Sequence, residues 1–143
     1  MPPPFSHPAF VLRVLANNFA VTQLKPGDAL PEKYVRALME PVGVGESQRF
    51  LAVTRTGEEV SVVEEEEGGD AGGQGAGWKC IKIAGPMEFD IVGVICNFTS
   101  PLKEAGIGVF VVSTWNTDYV LVPREKVNAA VEALKKDGWT FDE

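Results

Sequence analysis

The chain has 143 residues, of which 45% are hydrophobic, so it can bury one substantial core or two small cores that share a sheet. Its formal charge is −7, but five of the 20 acidic residues lie in one short run, Glu64 to Glu67 with Asp70. The other 15 acidic residues nearly balance 13 basic residues, so the acidity is local. No basic stripe with interleaved aromatic residues favours nucleic-acid binding, and no apolar run reaches the roughly 18 residues of a membrane span.

The cysteines and the N-terminal sequence indicate the cellular compartment of the protein. Cys80 and Cys96 are too few for a disulfide scaffold, and their apolar surroundings predict small buried thiols in a reducing compartment. The start MPPPFSHPAF has neither a charged region nor a long apolar run, so it does not resemble a secretion signal. Together these features predict a cytoplasmic protein.

Residues 10–63 predict a first unit with the order β-α-β-β. FVLRVLANNFAVTQL predicts a strand with an irregular or bulged continuation near Asn17 and Asn18. LPEKYVRALMEP predicts a helix that starts at Pro31, and RFLAVTRTGEEVSVVEE predicts two strands around a turn near Gly57. The predicted helix places three large side chains on one face, namely Tyr34, Val35 and Leu38.

Residues 64–77, EEEEGGDAGGQGAG, separate this unit from the rest of the chain. They combine like charges with glycines and contain no large apolar side chain that burial could use to offset chain entropy. We therefore predict a flexible surface insertion whose deletion barely changes stability.

Residues 78–143 predict a second unit with the order β-α-β-β-α. WKCIKIAG predicts a strand, and apolar residues at helical spacing predict a helix that opens near Asp90–Gly93 and stops at Gly106. Ser100-Pro101 predicts a kink there or the cap of a second short helix. IGVFVVST predicts a strand shielded on both faces, DYVLVP its hairpin partner, and REKVNAAVEALKKDG a final helix, with WTF as a possible closing strand.

The order of elements predicts an α+β fold in which helices cover one face of an antiparallel sheet, as in ferredoxin-like layers. The second half repeats the first in outline, although the first half lacks an evident second helix. The predicted organisation is therefore an N-terminal unit at 10–63, the acidic insertion at 64–77 and a C-terminal unit at 78–143.

Three motifs in the second half resemble the ACT-domain family of the CASTOR type, which includes the animal cytosolic arginine sensors and is related to aspartate kinase regulatory domains. IAGPMEFDIVGVI carries G-P-x-x-F-D, and SPLKEAGIGVFVVSTWNTDYVLVPREKV carries P-L-x-E-A-G-I and S-T-x-x-T-D-Y-x-L-V. LAVTRTGEEVSVV in the first half resembles the family more weakly. The resemblance covers residues 10–63 loosely and 78–136 closely.

The resemblance implies two ACT units joined through their sheets, with an amino acid bound where two such pairs meet. The chain is long enough for one pair only, so a homodimer would restore the full arrangement, and a regulatory protein partner is possible. The positions that match ligand contacts of the arginine-sensing members are Gly93, Val94, Ile95, Thr114, Trp115 and Asp118. Gly108 and Val109 match the strand that the other ACT pair contributes.

Elementary chemistry fits a site of that kind. An amino acid is a zwitterion, and the helix start near Gly93 offers main-chain N–H groups to its carboxylate. Gly93 and Gly108 lack a Cβ, so a ligand can approach the main chain there. Thr114 adds a hydroxyl, and Asp118 adds a carboxylate that can bind an ammonium or a cationic side chain.

Each of these residues also has a purely structural interpretation. Asp118 can be a turn residue, since WNTD is rich in hairpin formers. Gly93 can permit close helix packing, and Gly108 can mark a bulge. Thr114 can be an ordinary strand residue, and Trp115 can fill the edge of a core.

The family's arginine-sensing members have an acidic residue two places before the glycine, where this chain has Ile91. A guanidinium would lose one partner there, so a smaller or less basic amino acid is at least as good a candidate as arginine. Enzyme chemistry is not predicted, because the only histidine, His7, lies in a proline-rich tail and no CxxC, HExxH or carboxylate cluster offers a catalytic or metal site. No cofactor is predicted. Two functions remain, an amino-acid sensor and a ligand-independent interaction module.

Overall fold

A computed structural model describes residues 10–41, 49–66, 76–86 and 93–142. The described elements are β1 (Leu12–Leu24), α1 (Glu32–Met39), β2 (Leu51–Arg55), β3 (Val60–Glu65), β4 (Ala76–Ile83), α2 (Val94–Glu104), β5 (Phe110–Ser113), β6 (Asp118–Pro123) and α3 (Val127–Lys136). The strand pairs with a determined register are antiparallel, which confirms the predicted α+β class. Within these ranges no helix has the length and hydropathy to span a membrane.

The chain divides into two compact units. The larger unit combines Met1–Ala16 with Trp78–Glu143, and the smaller unit is Asn17–Gly77. This division differs from the predicted boundaries, which place residues 10–16 in the N-terminal unit. The physical reason is that Phe10 and Leu12 are buried in the core of the larger unit, where the Val11 carbonyl accepts a hydrogen bond of 2.8 Å from the Ala84 amide.

The larger unit confirms the predicted β-α-β-β-α order, as β4, α2, β5, β6 and α3. Cα pairing places Ile81 opposite Val120 and Phe110 opposite Leu121, so β6 lies between β4 and β5. Alternate residues of β4 and β6 pack against the two helices because successive side chains of a strand point to opposite faces. This core contains Ile81, Ile83, Val94, Phe98, Leu102, Val120, Val122, Ala130 and Leu134.

Both helices of the larger unit end at a glycine, as predicted for Gly106. Gly106 has φ +72° and Gly138 has φ +108°, which is the left-handed conformation that ends helices. The next residues, Ile107 and Trp139, donate backbone hydrogen bonds to Leu102 and Leu134 and bury their side chains in the core. The predicted closing strand is reduced to a single parallel bridge between Phe141 and Leu12.

Helix α2 corrects two expectations. Its predicted start at Asp90 falls outside the described residues, and the described helix begins at Val94 and continues through Pro101 without a second cap. The thiol of Cys96 is exposed, whereas Cys80 is buried as predicted. Val94 and Phe98 define the buried stripe of α2, and Cys96, two positions after Val94, lies on the opposite side of the helix.

Strand β5 is not shielded on both faces, contrary to the prediction from its β-branched sequence. It lies at the end of the strand order and pairs with β6 alone. Phe110, Val111 and Val112 are half-buried and Ser113 is exposed. The apolar run therefore leaves one strand edge without a neighbour in the described part of the chain.

The smaller unit contains the rest of β1 with α1, β2 and β3. Strand β3 pairs with both neighbours, since Val62 lies opposite Thr22 on β1 and Val53 on β2. Strand β1 runs from Leu12 to Leu24 without the predicted irregularity, although the boundary between the units falls at Ala16 and Asn17. Tyr34, Val60 and Val62 form the centre of a small core that also includes Leu24, Leu30, Leu51 and Val53.

The predicted apolar face of α1 is only partly correct. Tyr34 is buried, but Val35 is 40% exposed and Leu38 is 56% exposed. Tyr34 and the half-buried Ala37, three positions later, are the residues that turn inward.

The predicted insertion at 64–77 overlaps strands at both ends. Glu64 and Glu65 belong to β3, and Ala76 and Gly77 begin β4. Residues 67–75, the middle of this segment, lie outside the described residues. The Glu65 carboxylate accepts hydrogen bonds from the Asn17 side-chain amide at 2.9 Å and from the Phe50 main-chain amide at 3.1 Å, so this part of the acidic run has structural partners.

Candidate functional site

The hairpin between β5 and β6 holds the predicted site residues Thr114, Trp115 and Asp118. The Thr114 amide donates to the Thr117 carbonyl at 2.9 Å and closes the turn. The Thr114 hydroxyl also donates to that carbonyl, at 3.0 Å, and accepts from the amides of Asn116 and Thr117 at 3.3 Å. The hydroxyl of Thr114 therefore stabilises the turn itself, which supports the structural interpretation of this residue.

Asp118 is half-buried at the first position of β6, opposite Ser113. The Ser113 hydroxyl donates to the Oδ1 atom of Asp118 at 2.5 Å, which fixes the orientation of the carboxylate across the hairpin. The other oxygen, Oδ2, accepts no hydrogen bond from the described residues. Asp118 therefore has one carboxylate oxygen that is held by Ser113 and one that a group outside the described residues could contact.

Thr117 is a positioning residue that the sequence analysis missed. It is 2% exposed, and its hydroxyl donates to the Ile83 carbonyl at 2.8 Å. Gly85 packs against it so closely that a Cβ on Gly85 would lie 2.8 Å from the Cβ of Thr117. Gly85 belongs to the motif IAGP and Thr117 to the motif NTDY. A glycine before proline and a threonine before aspartate are the sequence features that could have indicated this contact.

The start of α2 offers main-chain groups rather than side chains. Gly93 precedes the helix with φ +78°, and apart from its chain neighbours no atom of the described residues lies within 4 Å of the position that its Cβ would occupy. Val94 is 4% exposed and Ile95 is half-buried, and both side chains pack in the core of the larger unit. The amides of a first helical turn have no acceptor within the helix, so a ligand near Gly93 would meet N–H donors without steric hindrance from a Cβ.

Asp118 lies at the same edge of the sheet as the end of β4, from which the chain continues toward α2. Lys82 of β4 pairs with Tyr119 of β6, so Ile83 and Asp118 follow at that edge. Asp118 lies two and four positions before Val120 and Val122 on β6, so its side chain points to the same face as these two residues, which pack against the helices. The carboxylate therefore lies on the helix-covered face of the sheet.

Gly108 and Val109 are not brought to this edge. They precede Phe110, which pairs with Leu121, whereas Asp118 pairs with Ser113 at the other end of β5. Val109 is four residues from Ser113, or about 13 Å along an extended strand. Within one chain, the predicted contacts from Gly108 and Val109 thus lie apart from Asp118.

Trp115 does not fill the edge of a core. Its side chain is 83% exposed at the tip of the hairpin, and Val109 is 36% exposed. No group of three or more histidine, cysteine, aspartate or glutamate side chains that could hold a metal occurs among the described residues.

The family model for the ACT domain matches residues 75–136, the segment that contains β4, α2, β5, β6 and α3. The name ACT domain is used for residues 75–136, which are similar to this family over less than half of the chain. The resemblance seen in the sequence motifs is confirmed by this match, and every predicted site residue lies inside the ACT domain.

Curated relatives are similar to part of the chain. The chain is 33% identical over 60 residues to cytosolic arginine sensor for mTORC1 subunit 1 of Homo sapiens and of Bos taurus. The match covers 41% of this chain but only 18% of each relative, so the chain spans less than a fifth of their length. These relatives are named as sensors rather than as enzymes.

Solved structures resemble a larger share of the chain. A protein from Agobacterium tumefaciens is 28% identical with a TM-score of 0.69, and the match covers 95% of this chain and 94% of that one. A protein of unknown function from Vibrio cholerae, titled a possible transport protein, is 21% identical with a TM-score of 0.60, over 88% of both chains. The alpha and beta subunits of aspartokinase give 14% identity and a TM-score of 0.57, over 89% of this chain and 96% of that one. The last two show similarity of fold alone.

Proposed function

We propose that this chain is a regulatory module that binds an amino acid at an interface between ACT domains. The observation that carries the proposal is the carboxylate of Asp118, which Ser113 orients and which keeps one oxygen available on the helix-covered face. The similarity of residues 75–136 to a family that includes a cytosolic arginine sensor supports amino-acid recognition and a cytoplasmic location.

The proposed ligand contacts follow from the charges of a zwitterion. The ligand ammonium, or a cationic side chain, binds Asp118 Oδ2 through a charge-assisted hydrogen bond. The ligand carboxylate binds the main-chain amides of Val94 and Ile95, and the absence of a Cβ on Gly93 leaves the approach open. Because Ile91 replaces an acidic residue of the arginine-sensing members, the ligand has a smaller or less basic side chain than arginine.

The proposed site needs two copies of the chain. Val109 lies about 13 Å and Gly108 about 16 Å from Ser113 along an extended chain, so a second copy would supply them to the Asp118 of the first. The edge of β5 has no neighbouring strand in the described part of the chain and offers main-chain hydrogen bonds to that copy. A two-fold axis would create two equivalent sites. The smaller unit, with its β-α-β-β order, is proposed as the second ACT-like unit of each copy.

A thermal-shift panel of the twenty amino acids tests the proposal. A ligand present at a hundred times its dissociation constant should add about 2.7 kcal/mol of stability. Asp118→Asn keeps the shape but loses the charge, so it should abolish that stabilisation, whereas Asp137→Asn, an exposed aspartate after α3, should not change it. Equal stabilisation of the Asp118→Asn variant would return Asp118 to a purely structural role. A monomer in light scattering at micromolar concentration, with and without amino acids, would contradict the shared site.

The second candidate function is a ligand-independent interaction module for a regulatory protein partner. The observation that favours it is the exposure of Trp115, because large exposed aromatic side chains are enriched at protein interfaces. If this function is correct, Trp115→Ala should weaken association in sedimentation experiments without any amino acid present. The sensor proposal instead expects association to respond to the ligand and to Asp118→Asn.

A further inference from the structure

The smaller unit contains a cleft of about 220 Å³ outside the ACT domain. Helix α1 forms one wall, the residues that lead into β2 form another, and the end of β3 forms the third. The lining residues are Lys33, Tyr34, Ala37, Arg49, Phe50, Leu51, Glu64 and Glu65. Two cationic and two anionic side chains therefore surround the same small volume.

Tyr34 contacts one anionic and one cationic side chain of the cleft. Its phenol donates to the Oε1 atom of Glu64 at 3.1 Å, and the ammonium of Lys33 lies 4.9 Å from the centroid of its ring. Lys33 and Glu64 do not form an ion pair with each other, and Lys33 pairs with no other described carboxylate. The Oε2 atom of Glu64 accepts no hydrogen bond from the described residues. A cation and an anion thus flank one buried phenol with a gap between them.

The rest of the cleft combines apolar side chains with Arg49 and Glu65. Glu65 accepts the Phe50 amide and the Asn17 side-chain amide, which holds the start of β2 against the end of β3. The Phe50 ring packs against Phe19 with a centroid distance of 5.6 Å. Ala37 and Leu51 complete an apolar surface beside the two charges.

We infer that this cleft binds a zwitterionic α-amino acid with an apolar side chain. The ligand ammonium binds Glu64 Oε2, the ligand carboxylate binds Lys33, and the apolar side chain packs on Ala37, Phe50 and Leu51. Because Glu64 and Lys33 carry opposite charges, a zwitterion can form a charge-assisted contact with each of them. A simple anion or a simple cation can form only one of these two contacts. The site is independent of Asp118, so it does not rest on the proposed function of the ACT domain.

Two-dimensional ¹H–¹⁵N NMR of the full chain tests the inference, with L-leucine as the probe. We expect saturable shifts at the amides of residues 33–37 and 50–51. Two analogues separate the charges, since 4-methylpentanoate lacks the ammonium and 3-methylbutylamine lacks the carboxylate. Each analogue, and each of the variants Glu64→Gln and Lys33→Gln, should bind about tenfold more weakly or worse, the loss of one charge-assisted contact. The matched controls Glu58→Gln and Lys25→Gln are exposed in the same unit and should bind as the parent does.

The outcomes separate this site from the one at Asp118. Asp118→Asn should leave the shifts at residues 33–37 unchanged. Absence of shifts there at millimolar L-leucine would overturn the inference, as would equal binding of the three probes. Shifts confined to residues 93–118 would overturn it while supporting the proposed function of the ACT domain.

Discussion

Three glycines of the ACT domain allow backbone strain and steric overlap to be measured separately. A Cβ on Gly85 would lie 2.8 Å from Thr117 Cβ and 3.1 Å from the Asn116 carbonyl oxygen, at φ +64°. Gly93 has φ +78°, whereas Gly108 does not have a left-handed φ. At both positions no atom of the described residues, apart from the chain neighbours, lies within 4 Å of where a Cβ would be. The substitutions Gly85→Ala, Gly93→Ala and Gly108→Ala therefore differ in one physical factor at a time.

The expected losses follow from these distances. An alanine in the left-handed region costs about 1 kcal/mol, which is the whole expected loss for Gly93→Ala. Gly85→Ala adds an overlap with the hairpin that costs about 1–3 kcal/mol, because Thr117 is buried and cannot move freely. Gly108→Ala should be neutral or stabilise by about 0.5 kcal/mol, since it reduces the entropy of the unfolded chain without strain.

Urea denaturation followed by circular dichroism measures the three differences. The slope with urea should stay constant, and the midpoints should fall in the order Gly108→Ala, Gly93→Ala, Gly85→Ala. For a chain of this length, each kcal/mol corresponds to roughly 3 °C in Tm. Equal losses for Gly85→Ala and Gly93→Ala would refute the argument that the IAGP segment packs tightly on the hairpin.

Three further predictions concern other parts of the chain. Glu65→Ala should lower the free energy of unfolding by about 1–3 kcal/mol in urea titrations, because it leaves the Phe50 amide and the Asn17 side chain without their acceptor. Burial raises the pKa of the Tyr34 phenol above 10.0, and the nearby Glu64 adds to the rise while Lys33 opposes it. The neutral phenol therefore stabilises the fold fully below pH 10.0, and this stabilisation is lost as the pH rises through the pKa of the folded protein. Phenylalanine does not ionise, so the Tm of the Tyr34→Phe variant should fall less with rising pH than the Tm of the parent. Gly138→Ala should cost about 1 kcal/mol in the same titrations because Gly138 ends α3 at φ +108°, and a neutral result would contradict the role of that cap.

Local sequence patterns predicted the elements of the larger unit well. The stripe of Val94, Phe98 and Leu102 has helical spacing, and all three side chains are buried. The glycine stop at Gly106 and the hairpin between β5 and β6 follow from conformational preferences of a few adjacent residues. The ACT-domain motifs lie in the same segment, so the similarity to this family could also be recognised from the sequence.

Tertiary packing decided what local patterns could not. The β-branched run of β5 suggested burial on both faces, but Phe110, Val111 and Val112 are only half-buried. Periodicity gives the apolar content of a strand and not what covers it. Glu64 and Glu65 looked like part of a solvated acidic run, and only the pairing of β3 brought them to Tyr34 and Asn17.

The candidate site shows the same contrast between what the sequence indicates and what only the tertiary structure determines. The sequence by itself identified Asp118 and Gly93 as residues with suitable chemistry, since a carboxylate and a glycine before a helix are recognisable from composition and motif. Only the tertiary structure showed that Ser113 orients Asp118 and that Thr117 closes the hairpin on Ile83, because these contacts depend on strand register. It also placed Gly108 at the far end of β5, since an antiparallel hairpin carries the chain before β5 away from the edge where β6 begins.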